Sequence, residues 1–143
     1  MARPPRIPVW LPHECEVVYF LTLCVLPRGN ALANEAAWKA LRATLARLDQ
    51  WDVRCAVAMP DHLHLLAAPK QREASVSSFL KWFKRWFNEA LPHAWKWQSG
   101  GFDRLLRREE SAHGKWLYLR ENPVRAGLVL RWEEWPYQFG FGD

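Results

Sequence analysis

Two periods of apolar and polar positions follow one another along the chain, and each change of period marks an element. Residues 15–26, CEVVYFLTLCVL, are β-branched, aromatic and nearly all apolar, the pattern of a buried strand. PRGN then reads as a turn. From residue 34 to 50 the spacing becomes helical, with Ala37, Leu41, Thr44/Leu45 and Leu48 on one face and Asn34 as N-cap. VRCAVAMP (53–60) and HLHLLAAP (62–69) are two further strands. Only Pro60 and Asp61 part their clear strand residues, so an antiparallel hairpin is predicted.

A second helix, VSSFLKWFKRWFNEAL, is capped by Ser75 or Ser77 and ends before Pro92. Its apolar face is Phe79/Leu80, Phe83, Trp86/Phe87 and Leu91, with Lys81, Lys84 and Arg85 elsewhere. After a Ser-Gly-Gly break, residues 102–106 read as a short strand. A third helix starts near 109–111 and ends at Pro123, because the residue before a proline disfavours helical geometry. The order β-α-β-β-α-β-α is the split βαβ arrangement: an α+β, ferredoxin-like fold with an antiparallel sheet. It divides into an extended arm (1–14) holding four of the ten prolines, one domain (15–131), and a C-terminal tail (132–143). Many unrelated activities use such a fold, so function must come from the site.

At 143 residues, half of them apolar and ten of them tryptophan, the chain can bury a core without staples. No apolar run approaches the roughly 18 residues that span a bilayer, and the start lacks the apolar centre of a secretory signal. A cytoplasmic protein without a membrane partner is expected. Cys15, Cys24 and Cys55 form no CxxC pair, so they read as small hydrophobes rather than as a metal or redox motif. The net charge of +5 is unevenly placed: residues 79–131 hold eleven Lys/Arg against five Asp/Glu. Basic residues interleaved with tryptophan and phenylalanine suit a phosphate backbone with unstacked bases, and equally a charged surface over an aromatic core.

The chemistry-bearing stretch is AMPDHLHLLAAP (58–69). Alternation along a strand puts His62 and His64 on one face and Leu63 and Leu65 on the other. Two imidazoles so placed can grip one metal ion, or simply face solvent. In HGKWLYLRENP, Tyr118 and Asn122 are four apart and share a helix face. Gly114 lies a turn earlier on that face, where it costs about 1 kcal/mol against alanine; clearance for a bulky ligand beside Tyr118 is one reason to keep it.

In order and spacing, VAMPDHLHLL, WQSGGFDRLLRREES and YLRENPVRAGLV resemble the single-tyrosine HUH transposases, and most closely the REP-associated tyrosine transposases. The resemblance runs from about Val17 to Tyr137. It implies that 15–131 is a catalytic domain with its nucleophile on the C-terminal helix. By the same resemblance, His62, His64 and Asn122 hold a divalent metal, Mg²⁺ or Mn²⁺, and Tyr118 attacks a DNA phosphodiester. The activity implied is nicking and strand transfer of single-stranded DNA through a 5′-phosphotyrosine intermediate, near a hairpin or palindrome. DNA contacts are expected from Lys81, Lys84, Arg85, Arg104, Arg107, Arg120 and Arg125. A homodimer is open, since relatives include dimers and monomers. The chain departs from many relatives in having Arg104 after Asp103, Phe20 where some place a histidine, and Trp135-Pro136-Tyr137 without the usual serines. His13, His93 and His113 match nothing catalytic. The competing classes are a domesticated module that binds hairpin DNA without cutting, and a metal-dependent hydrolase with no covalent step.

Overall fold

The computed structural model describes residues 17–71, 73–106 and 111–141. The expected arm, Cys15, His13 and Arg107 therefore lie outside the described residues. In chain order the elements are β1 (Tyr19–Leu26), α1 (Glu35–Arg47), β2 (Trp51–Ala58), β3 (His62–Pro69), α2 (Val76–Ala90), β4 (Lys96–Trp97) and β5 (Phe102–Leu105). Helices α3 (Ala112–Leu119) and α4 (Asn122–Arg125), a 3-10 turn (Trp132–Glu134) and β6 (Gln138–Phe139) complete the chain. The caps are those the side chains dictate: Asn34 accepts from the amide of Ala37, Ser75 from Ser78 and Ser111 from Gly114.

The strands make one antiparallel sheet in the order β4-β1-β3-β2-β6, with β5 also paired to β1. Strand β3 thus inserts between β1 and β2, as the split βαβ reading requires. One face of the sheet carries Leu21, Leu23, Val25, Leu63, Leu65 and Ala67, packed under α1 and α2 with Phe79, Phe83 and Phe87. Each buried Leu, Val or Phe side chain among them is worth about 1.5–3 kcal/mol of transfer free energy. The other face carries Val18, Phe20, Cys55, Val57, Leu66 and Ala68, and is covered by Trp116 and Leu119 of α3 and by Trp135. Alternation puts His62 and His64 on this second face, both partly buried, in the row that continues to Leu66 and Ala68.

Three features differ from the sequence pattern. The single strand expected after α2 is two: β4 pairs with Val25 and Leu26, and β5 with Tyr19 to Leu21. Gly101 turns between them at φ 143°, where a Cβ would sit 2.9 Å from Leu80 Cδ2, and its carbonyl accepts from the Thr22 amide at 2.8 Å. The third helix does not run to Pro123. It ends at Leu119, and Pro123 sits in the first turn of α4, where its missing N–H leaves no helical bond unmade. Finally, the last segment adds an edge strand, with Phe139 and Gln138 opposite Ala56 and Val57. Its Trp135 indole donates to the Ala58 carbonyl at 3.0 Å.

Candidate metal and tyrosine site

The β2–β3 turn does more than reverse the chain. Asp61, in the turn, accepts from His62 Nδ1 at 2.8 Å through Oδ1 and from Arg28 Nη1 at 2.9 Å through Oδ2. Its carbonyl accepts from the Val25 amide at 3.1 Å, which fixes the turn against β1. The His62 bond first, helped by the His62 charge and by the bond and charge of Arg28, holds the Asp61 carboxyl below its usual range, against burial, which raises it. An ionised carboxylate on Nδ1 selects the tautomer whose Nε2 lone pair is free.

His64 is held in the same way by a neutral partner. Its register neighbour on β1 is Thr22, whose Oγ1 lies 3.0 Å from His64 Nδ1. Burial first, then the charges of His62, Lys115 and Arg125, push His64 down to about 3, so the ring is neutral at physiological pH. The two imidazoles lie with centroids 4.8 Å apart, edge to face at 78°. With both Nδ1 atoms engaged, the two Nε2 atoms remain for a ligand.

Tyr118 reaches this face from α3. Trp116 and Leu119 are turned into the sheet, at 2% and 1% exposure, which leaves Tyr118 57% exposed on the flank of the helix. Lys115, one turn earlier, places Nζ 4.5 Å from the centre of the Phe20 ring and 5.0 Å from that of Tyr118. Phe20 in turn lies 5.4 Å from the His64 ring. On the other side of the phenol, the Arg125 guanidinium carbon is 4.2 Å from the ring centre, and its Nη2 donates to Asn122 Oδ1. Tyrosine, histidines and asparagine are thus joined through Phe20 and two cations. A Cβ at Gly114 would meet only Ser111, at 3.6 Å, so the packing of the chain does not require that glycine.

Among the described residues, no three of His, Cys, Asp and Glu gather into a cation site. The groups on this face that could hold a metal are the imidazole nitrogens of His62 and His64 and the amide oxygen of Asn122, which Arg125 ties to the tyrosine side. That oxygen accepts one bond from Arg125 and keeps a second lone pair. The set fits a divalent ion with open positions. Its nitrogen content suits manganese better than magnesium.

The expected DNA-contacting cations divide between the two faces. Arg104 is the register partner of Phe20 and shares the histidine face, as do Arg120 and Arg125 on the tyrosine side. Arg120 lies flat on Trp132, 3.9 Å from its ring centre. Lys81, Lys84 and Arg85 are on α2, across the sheet. Lys81 and Arg85 both lie over Trp82, and Arg85 pairs with Glu89 at 3.5 Å. Lys84 is half-buried: Nζ donates to the carbonyls of Gln98 and Gly100, and burial lowers its ammonium below the usual value. That side chain braces the loop before β5. His93 likewise links elements, with Nε2 on Asn88 Oδ1 and Nδ1 on the Trp95 carbonyl, both at 2.6 Å.

Sequence reasoning missed Asp61, Thr22 and Lys115. In the sequence Asp61 looks like no more than a turn residue. Thr22 had a signal, a lone hydroxyl inside an apolar strand, but strand register was needed to set it opposite His64.

No protein-family model and no curated protein matches the chain. Solved structures do. A REP-associated tyrosine transposase bound to a REP hairpin superposes with a TM-score of 0.74 at 19% identity, over 96% of this chain and 82% of that one. The chain shares that transposase's fold. A second similar structure, a Deinococcus radiodurans R1 protein provisionally assigned as a transposase, gives a TM-score of 0.54 at 17% identity, over 87% of this chain and 97% of that one. The α+β, ferredoxin-like reading therefore holds across nearly the whole chain. No helix among the described residues is long and apolar enough to cross a membrane.

Proposed function

We propose that the protein is a metal-dependent tyrosine transposase of the REP-associated type, which nicks and transfers single-stranded DNA beside a hairpin. The observation that carries this reading is the junction on one sheet face of two histidines whose Nδ1 atoms are both engaged, an exposed tyrosine and an amide oxygen linked to that tyrosine by Arg125. The shared fold with a hairpin-bound transposase supports the same substrate class.

His62 and His64, through Nε2, and Asn122, through Oδ1, would hold the ion. When bound, a divalent ion there polarises a phosphoryl oxygen and orients the scissile group. Asp61 and Thr22 keep the two rings turned and in the metal-binding tautomer. Tyr118 Oη attacks phosphorus: an O–P bond to the phenol forms, the bond to the 3′ oxygen breaks, the phenolic proton leaves, and the departing oxygen takes up a proton as a 3′-hydroxyl. The 5′ phosphate stays on the protein, so strand transfer needs no nucleotide cofactor. Lys115 and Arg125, flanking the phenol, place positive charge where the phosphate must lie.

A hairpin-bearing single strand incubated with the protein in Mn²⁺ tests this. Cleavage lost in chelator and in both His62→Ala and His64→Ala, with hairpin binding kept, is the expected result. Tight binding with no cleavage by the unsubstituted protein in either metal would instead make it a binding module.

A further inference from the structure

We propose that the C-terminal segment 132–141 is a positioning strap that sets Tyr118 against the histidines, with Gly140 and Trp132 as its two points of grip. The inference rests on the transposase reading and names residues of that site which the reading itself leaves out.

The strap is tied to the histidines through the sheet. Thr22, His64, Val57 and Gln138 are successive register partners, so one rank of residues crosses β1, β3, β2 and β6. Gln138 is further fixed by its own side chain, whose Nε2 donates to the carbonyls of Trp132 and Trp135 at 2.7 and 2.9 Å. Strand β6 therefore shares the register of His64.

Two residues on, the same segment meets the tyrosine helix. A Cβ at Gly140 would sit 2.1 Å from Trp116 Cε2 and 2.3 Å from Cζ2, so the backbone lies directly on the indole. That approach is closed to every residue but glycine. Phe141 continues past it, its ring 5.4 Å from His113 at the start of α3. Trp132 also meets Trp116, 6.3 Å away ring to ring, and carries on its face Arg120, the C-cap of α3. Tyr118 falls between these grips, and α3 is itself only eight residues long. So short a helix has little stability of its own, and its orientation depends on what packs against it. Misplacing a nucleophile by about 1 Å can cost about 100-fold in rate.

The experiment uses the full chain as Gly140→Ala, Gly140→Ala with Trp116→Phe, and Trp132→Ala. Three quantities are followed: hydrogen exchange of the metal-free protein, affinity for hairpin DNA and for Mn²⁺, and the single-turnover rate of covalent adduct formation at saturating DNA. Gly140→Ala is expected to speed exchange over 112–122 while β3 stays protected, to leave both affinities within about twofold, and to slow adduct formation about 100-fold. Trimming Trp116 to Phe removes Cζ2 but keeps ring carbons near the Cδ2 and Cε2 positions, so it relieves only part of the overlap and should restore only part of that loss. Should Gly140→Ala fail to fold, Trp132→Ala, which inserts no atoms, decides by the same readouts. Unchanged exchange over α3 in the folded variants overturns the strap, as does a rate loss matched by an equal loss of hairpin affinity. If the unsubstituted protein forms no adduct, the transposase reading fails, while the exchange measurement still tests the strap.

Discussion

The Arg125 guanidinium stacks 4.2 Å from the centre of the Tyr118 ring and, through Nη2, donates to the Tyr118 carbonyl oxygen at 2.8 Å and to Asn122 Oδ1. One side chain thereby couples the candidate nucleophile to the candidate third metal ligand across the break between α3 and α4. Arg125→Ala removes that coupling and a charge beside the phosphate. Adduct formation should fall about 10- to 100-fold with hairpin affinity changed less than about threefold. Arg125→Lys should not restore it, because an ammonium cannot both stack on the ring and fork to two oxygens. Single-turnover rates beside equilibrium binding check both statements.

Asp61 orients His62 from the turn, so Asp61→Asn should weaken Mn²⁺ binding about 10- to 100-fold with the fold intact. Thr22→Val, which keeps shape and loses the oxygen facing His64, should act in the same direction. Calorimetric Mn²⁺ titration of each variant is the measurement. Unaltered affinity in both would detach these residues from the metal.

Lys84 separates loop architecture from DNA contact. Its ammonium serves the Gln98 and Gly100 carbonyls, so Lys84→Met should lower unfolding free energy by about 1–3 kcal/mol, the cost of unpaired polar groups. The salt dependence of hairpin binding should not change. A shallower slope against log salt concentration would mean that Lys84 contacts phosphate after all.

His64 gives the metal-free protein a pH dependence of known sign. Its folded value, about 3, lies below the 6.5 of a free imidazole, so the unfolded chain takes the proton first. Stability from this group is complete above 6.5 and is lost as pH falls toward 3. In chelator, urea unfolding at pH 5 should show on the order of 2 kcal/mol less stability than at pH 7 from this group, and His64→Gln should flatten that part of the profile.

The sequence carried the three long strands and both long helices because composition, period and caps agree there: CEVVYFLTLCVL and HLHLLAAP are rich in strand formers or alternate, and Asn34 and Ser75 each stand before a helical run. It also put His62 with His64, because strand alternation suffices. The single helix face expected for Tyr118 and Asn122 is not found, since α3 ends at Leu119 and Asn122 opens α4. Arg125 rather than helical spacing links the two. What the sequence could not carry depends on register or distance in space. Thr22 meets His64 only through pairing 42 residues apart, and Lys115 meets Phe20 only because α3 lies on the sheet. Nor does Gly140 look unusual in FGFG until Trp116 is found beneath it. The break before Asn122 is hidden for a local reason: a proline can end a helix or open one, and Pro123 opens α4.

The central claim is that Tyr118 is the nucleophile, and covalent trapping tests it most directly. A hairpin-bearing strand labelled on the 3′ side of its cut is incubated with protein in Mn²⁺ or Mg²⁺ and resolved on a denaturing gel. Tyr118→Phe removes one exposed hydroxyl and keeps the ring between Lys115 and Arg125, so folding, metal binding and hairpin binding should all survive. The unsubstituted protein should give a labelled band of protein size, and Tyr118→Phe none. The same band from the variant would place the nucleophile on another residue. Cleavage without any protein-sized band from the unsubstituted protein would mean that water, and not Tyr118, attacks the phosphorus.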